Sequence, residues 1–263
     1  MSENHVEDKD PGLPTLELDG VRAVITLQRP EKRNRIEPPD LVALLGLFNQ
    51  IEAAPDVRVM VLRATGPSFC SGFHLGALAG GARPEVSFGE MCDRLAALPM
   101  PTVAHIEGNI HGGGTDLAIS CDFRIAADDI HLLMPAARLG LQYYASGLER
   151  FVSRIGPGAT KRFFLTALPQ DAATLLRVGY LDEICAREDL AAKVETFVDA
   201  ITKLGPEAVS RTKAAINALA LGATDLAPLE ASARESMRSA EHKEGLRALA
   251  EKRAPNFGAS TLQ

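Results

Sequence analysis

The sequence predicts an α/β fold in which strands and helices alternate over residues 14–190, followed by a helical region over 191–263. Apolar, β-branched runs such as Val57-Arg58-Val59-Met60-Val61-Leu62 alternate with stretches of helical spacing, the pattern of a right-handed core of crossover units. From about residue 190 onward only helical spacing remains. The chain has 263 residues, 46% of them hydrophobic, which is enough to bury a large core.

Each element has a local reason. Residues 1–13 carry charge, Pro11 and Gly12 without apolar periodicity, and are expected to be a disordered tail. Two alternating runs on either side of Asp19-Gly20 predict a β-hairpin. After the polar loop Arg29-Pro30-Glu31-Lys32-Arg33-Asn34, the prolines Pro38 and Pro39 open a helix to about residue 53. A strand over 57–64 feeds a loop of small residues, Thr65 to Leu75, and the Gly/Ala/Pro-rich segment 76–84 predicts a flap. A helix over 88–98 stops at Pro99-Met100-Pro101, and strands follow over 102–108 and 123–126. Helices are then expected over 148–155, 158–166, 172–178, 190–204, 206–221, 226–239 and 243–252. The last of these are too apolar on one face to stand alone, so they should pack on the core or on a neighbouring subunit.

Composition narrows the function. No apolar run approaches the roughly 18 to 20 residues of a membrane span, and the acidic, polar N-terminus is no secretory signal, so a cytoplasmic protein is expected. Cys70, Cys92, Cys121 and Cys185 are too scattered for a metal or redox motif. A net charge of -6 argues against a basic nucleic-acid surface, and three tyrosines without tryptophan make a poor stacking platform. Neither a dinucleotide GxGxxG pattern nor a phosphate loop occurs. A small-molecule function is left.

The stretch Asn109-Ile110-His111-Gly112-Gly113-Gly114-Thr115-Asp116 stands apart, because three glycines run straight into a buried helix. Free N–H groups at such a helix start suit an anion, or a carbonyl oxygen that becomes one. Close helix packing is the plainer alternative.

Two loops of this kind, Ser71-Gly72-Phe73 after one strand and Gly112-Gly113-Gly114 after another, resemble those of the crotonase superfamily, the enoyl-CoA hydratases and isomerases. The resemblance covers nearly the whole chain. It includes the early loop from Arg29 to Asn34, the Phe69 to Leu75 loop, the block from Gly112 to Asp122, Pro135-Ala136-Ala137-Arg138-Leu139-Gly140, the helix from Ala172 to Gly179, and the C-terminal segment near Lys243 and Glu251. It implies a crotonase-like spiral of ββα units with a C-terminal helical region, and a core at 14–190 that binds acyl-CoA. It further implies an oxyanion hole made by the backbone N–H groups of Phe73 and Gly113. Contacts to the CoA ester would come from Arg33, Phe73, His74, Leu75, Gly76, Gly113 and Tyr144. Coenzyme A would be part of the substrate, with no metal or redox cofactor needed, since the thioester already acidifies the α-carbon. A homotrimer or dimer of trimers is implied, and neither a membrane nor a nucleic acid is among the expected partners.

Departures from the family's pattern bear on the chemistry. Of the two glutamates that position water in the best-known hydratases, the first falls on Asp116 and the second on Ala136. Asp116 is shorter by one methylene, about 1.5 Å of reach; it could be catalytic or simply charge the helix start. Tyr143 and Tyr144 follow Leu139-Gly140-Leu141-Gln142 in an order similar to that of methylmalonyl-CoA decarboxylases, so Tyr143 is a second catalytic candidate. A phenol could orient a carboxylate or only line the pocket. His74 could titrate near neutrality, and Arg33 and Arg35 could meet CoA phosphates. His111, His131, Glu149 and Glu90 receive no role. Three functions are therefore open: an enolate-forming hydratase or isomerase, a malonyl-type decarboxylase, and an acyl-CoA-binding protein with little catalysis.

Overall fold

The computed structural model describes residues 12–74, 76–77 and 84–258. Most of the predicted tail and flap, and Leu75, lie outside these residues. β1 (Thr15–Asp19) and β2 (Arg22–Leu27) form the expected hairpin. Asp19 faces Arg22, so the turn is Gly20-Val21, one residue later than the Asp-Gly pair suggests. Gly20 at φ 55 supplies the left-handed first position that matches the strand twist.

Strand pairs followed by helices then repeat. β3 (Val59–Ala64) and β4 (Ser68–Cys70) precede α2 (Phe88–Ala96); α1 (Pro38–Glu52) lies before them. β5 (Thr102–Ile106) and β6 (Asn109–His111) precede α3 (Gly113–Ser120), and β7 (Phe123–Ala127) and β8 (His131–Leu133) precede α4 (Ala145–Thr166). Next come β9 (Gln170–Asp171), α5 (Ala172–Arg177) and β10 (Glu183–Cys185). In each pair the first strand joins a six-stranded sheet of order β1-β2-β3-β5-β7-β10, and the second joins a four-stranded sheet of order β4-β6-β8-β9. β1–β2 and β8–β9 are antiparallel, while β2 to β10 and β4 to β8 pair in parallel. This is the α/β spiral of ββα units that the resemblance implies. Strands β4, β6, β8, β9 and β10 have no counterpart in the sequence reading, because two or three residues carry no periodicity.

The helices follow their local signals. Glu37 and Asp40 form a capping box at α1, and Ser87 and Glu90 form one at α2. Gly156 at φ 73 and Pro157 break α4 where two helices are predicted. α6 (Leu190–Thr202) packs on β5 and β7, and α7 (Pro206–Ala220), α8 (Ala227–Ser236) and α9 (Ala240–Glu251) follow. α7 is tied to the chain's own core. Its Lys213 Nζ lies 2.6 Å from Asp122 Oδ2 and donates to the Met100 carbonyl, and Asn217 donates to that of Ala96.

Candidate active site

β4, β6 and β8 lie side by side and parallel, so the loops at their carboxyl ends meet. These loops hold Ser71-Gly72-Phe73, Gly112-Gly113-Gly114 and Ala136, respectively. The approach of the first two is too close for side chains. A Cβ on Gly72 would sit 2.5 Å from the Gly113 nitrogen, and one on Gly114 would sit 2.4 Å from the Cys70 carbonyl oxygen. Gly112, at φ 52 and ψ -129, turns the chain from β6 into α3. The triplet thus serves both close packing and a bare helix start.

The early loop braces the first of these loops. Asn34 accepts from the Arg29 N–H and donates to the carbonyls of Thr65 and Ser68, all at 2.8 Å. Arg29 itself is ion-paired with the buried Asp40. Ser71 N–H donates to Arg33 O, Ile36 N–H to Gly72 O, and His74 N–H to Ile36 O, each at 2.9 Å. Gly72 N–H points at Cys70 Sγ. Only Phe73 N–H in this loop has no hydrogen-bond acceptor among the described residues, and the same holds for Gly113 N–H at the start of α3. The two stand together, since a Cβ on Gly113 would lie 3.3 Å from the Phe73 nitrogen. The Phe73 side chain packs against Phe88, with ring centroids 5.8 Å apart.

Asp116, one turn into α3, is fully buried. Its Oδ1 accepts from Arg150 Nε at 2.9 Å and its Oδ2 from Arg150 Nη2 at 3.1 Å. Tyr143 Oη donates to Oδ2 at 3.3 Å, and Tyr144 Oη also donates there. Arg150 reaches on to Asp93 of α2. The tyrosine rings stack with centroids 4.5 Å apart, and Tyr143 meets Phe164 edge-on. Gly147 makes this possible, because a Cβ there would sit 2.6 Å from Tyr143 and 2.9 Å from Asp116 Oδ2. Burial, then the neighbouring Asp116 charge, pushes the Tyr143 phenol well above its ordinary pKa. Burial does the same to Tyr144, followed by the Cys92 and Asp116 charges. Burial alone would lower the Arg150 pKa, but hydrogen bonding and charge from Asp116 outweigh it and raise it. Proton transfer from this carboxylate would first require breaking its pairing.

The remaining predicted residues sit around these two groups. Ala136, buried in a 3₁₀ turn after β8, offers no acid–base group. His74 Nδ1 lies 2.6 Å from Glu37 Oε2, and Arg35 also holds Glu37. Burial would raise the Glu37 pKa, yet these hydrogen bonds leave it below the ordinary value. Arg33 is exposed, with no hydrogen bond from its side chain to a described residue, and lies close enough to His111 to lower that imidazole's pKa after burial has done so. Gly76 is exposed beside the His74 imidazole. Arg35, expected to face phosphates, is taken up by Glu37.

Sequence reasoning missed Arg150, Asp93 and Tyr180, whose hydroxyl donates to the Thr115 carbonyl at 2.8 Å and pins α3 from behind. For Arg150 a signal existed: it falls on the same face of α4 as the buried Gly147 and Phe151. A cavity of about 990 Å³ between α2, α4 and α7 is lined by Asp93, Phe123, Arg150, Val209 and Ile216 among others, but not by Phe73, Gly113 or Asp116. Among the described residues, no group of three or more His, Cys, Asp or Glu is placed to hold a metal ion, and no helix is long and apolar enough to cross a membrane.

The family model for enoyl-CoA hydratase/isomerase matches residues 19–260. The chain belongs to this family. Within this crotonase superfamily, it is 30% identical to a crotonyl-CoA hydratase of Syntrophomonas wolfei, over 92% of this chain and 96% of the relative. It is 31% identical to an enoyl-CoA isomerase/hydratase of Mycosarcoma maydis, over 92% and 93%. The crystal structure of an enoyl-CoA hydratase from Bacillus anthracis superposes with a TM-score of 0.84 at 27% identity, covering 94% of this chain and 99% of that one.

Proposed function

We propose that this family member is an enzyme that acts on an acyl-CoA thioester through an enolate held by the N–H groups of Phe73 and Gly113. One observation carries the reading: these two adjacent N–H groups have no acceptor among the described residues, while those of Ser71, Gly72, His74 and Gly112 do. Donors fixed in advance stabilise charge that develops on a thioester oxygen. The relatives of Syntrophomonas wolfei and Mycosarcoma maydis, a crotonyl-CoA hydratase and an enoyl-CoA isomerase/hydratase, support a thioester substrate.

Addition of water by two carboxylates finds no support here, since Asp116 is paired and Ala136 replaces the second. A second reading is favoured by the tyrosines gathered on Asp116: loss of CO2 from a malonyl-type acyl-CoA. Breaking the bond from Cα to the carboxyl carbon releases CO2 and leaves its electron pair in the thioester as the enolate. A proton from water then restores Cα, so no carboxylate base is needed for the first step.

The test is to mix purified protein with crotonyl-CoA, following the conjugated thioester absorbance, and separately with methylmalonyl-CoA, following CO2. Turnover of either supports enolate chemistry and tells the two readings apart. Tight binding without turnover of either would overturn the enzymatic reading and leave an acyl-CoA-binding protein.

A further inference from the structure

We propose that Arg150 is a positioning residue that fixes the charge on Asp116, so that this carboxylate serves as the anchor for Tyr143 and Tyr144 rather than as a base. The proposal rests on the acyl-CoA reading and deepens it by saying what the cluster around Asp116 does, one turn along the helix that Gly113 opens.

The geometry is specific. Arg150 approaches Asp116 with two nitrogens, one on each carboxylate oxygen, at 2.9 and 3.1 Å. Such a fork holds a carboxylate in one orientation as well as one charge state. Both tyrosine hydroxyls donate to Oδ2, so their protons point at Asp116 and their oxygen lone pairs remain for other partners. Tyr144 forms the start of α4, and its ring packs over Gly89 of α2, where a Cβ would lie 3.0 Å away. Rotating either phenol away would leave Asp116 with an open acceptor position in a buried site. Arg150 is 7% exposed and Asp116 fully buried, so loss of the guanidinium would strand a buried negative charge.

The groups facing Asp116 come from three directions. Arg150, Tyr143 and Tyr144 come from α4 and the residues before it, Asp93 and Cys92 from α2, and Tyr180 from behind α3. Asp93 and Asp116 share one arginine. Cys92 is a buried thiol whose pKa is raised by burial and then by Asp116, which keeps it a neutral thiol rather than a second negative charge. Arg150 is thus the cation on which the pair of phenols depends.

The protein reports on this arrangement through its own spectrum, because it has three tyrosines and no tryptophan. A phenol that donates to a carboxylate has quenched emission and a red-shifted absorption relative to one that donates to a neutral acceptor. Tyr180 donates to a carbonyl, so the quenched pair is distinguishable from it. Emission of the full chain is measured without substrate from about pH 5 to 9, the range in which a stranded buried carboxylate titrates. Wild type is expected to stay quenched and flat throughout. Arg150→Met should lose the quenching at the acid end and acquire a titration step, Arg150→Lys should restore the flat profile, and Asp116→Asn should be unquenched at every pH.

A folded Arg150→Met protein with a wild-type profile would overturn the proposal. So would an Asp116→Asn protein that remains quenched, which covers the case in which Arg150→Met does not fold. A purely packing role for Arg150 would not create a titration. Because no substrate is present, failure here leaves the thioester reading to stand or fall on its turnover assay.

Discussion

Around Phe73 and Gly113, two main-chain N–H groups are left without acceptors among the described residues, whereas around Asp116 the side chains of Arg150, Tyr143 and Tyr144 are already paired with its carboxylate. The first region is rigid because its neighbours are bonded: Ser71, Gly72 and His74 all use their N–H groups on the protein. The second is rigid because its members bond one another. The difference teaches what each wall can do. Unpaired fixed donors can take up charge on an incoming oxygen at no cost in rearrangement. A carboxylate held by a guanidinium and two phenols can fix the shape of a pocket, but it moves a proton only by giving up partners.

The contrast can be broken most severely at Gly113. Proline is tolerated at the first position of a helix, where it removes the N–H without breaking an intrahelical hydrogen bond. Gly113→Pro should therefore lower acyl-CoA turnover by about 10²- to 10³-fold. The Cβ it brings would meet Phe88 at 3.0 Å, so Gly113→Ala, which keeps the N–H, is the control for crowding. Steady-state kinetics of the two variants separate the lost donor from the added bulk.

The second wall should respond in stability. Arg150→Met leaves Asp116 unpaired in a buried site and should cost about 3–5 kcal/mol in chemical denaturation. Gly147→Ala drives a methyl against Tyr143 and Asp116 and should cost about 1–3 kcal/mol. A wild-type denaturation midpoint for Gly147→Ala would show that the tyrosine cluster is looser than its contacts imply.

A smaller effect concerns the brace beside Phe73. Glu37 has a folded pKa below its ordinary value of 4.5, so its contribution to stability is present above that pH. The contribution is lost as pH falls through the folded value. Melting temperatures of wild type and Glu37→Gln should differ near neutrality and converge once the pH has fallen through the folded value, where the carboxylate is protonated in both folded and unfolded wild type. A gap that stays constant into acid would remove Glu37's charge from the account.

The two walls also differ in how far the sequence reveals them. Gly72 and Gly112-Gly113-Gly114 are legible because backbone that must come bare to a ligand or a neighbour excludes most residues. The long helices and the hairpin are legible through periodicity and turn chemistry. Strands β4, β6 and β8, which bring the glycine loops together, are not, since three residues have no period and their partners lie some 20 to 40 positions away. Arg150 was hidden beside Glu149, where two adjacent charges on a helix read as a solvated face; only its phase with Gly147 and Phe151 marks it as buried. The pairing of Asp116 was equally invisible, because it joins residues 34 positions apart.

The grip proposed for Phe73 and Gly113 on the thioester oxygen is measured most directly by the vibration of the thioester carbonyl. Crotonyl-CoA labelled with ¹³C at the thioester carbon can be bound to the protein and its carbonyl stretch isolated by isotope-edited infrared difference spectroscopy. Two N–H donors should polarise the carbonyl and lower its frequency below that of the free ester in water, with Gly113→Pro recovering part of the shift. A bound carbonyl that vibrates at the solution frequency, unchanged by Gly113→Pro, would contradict the account.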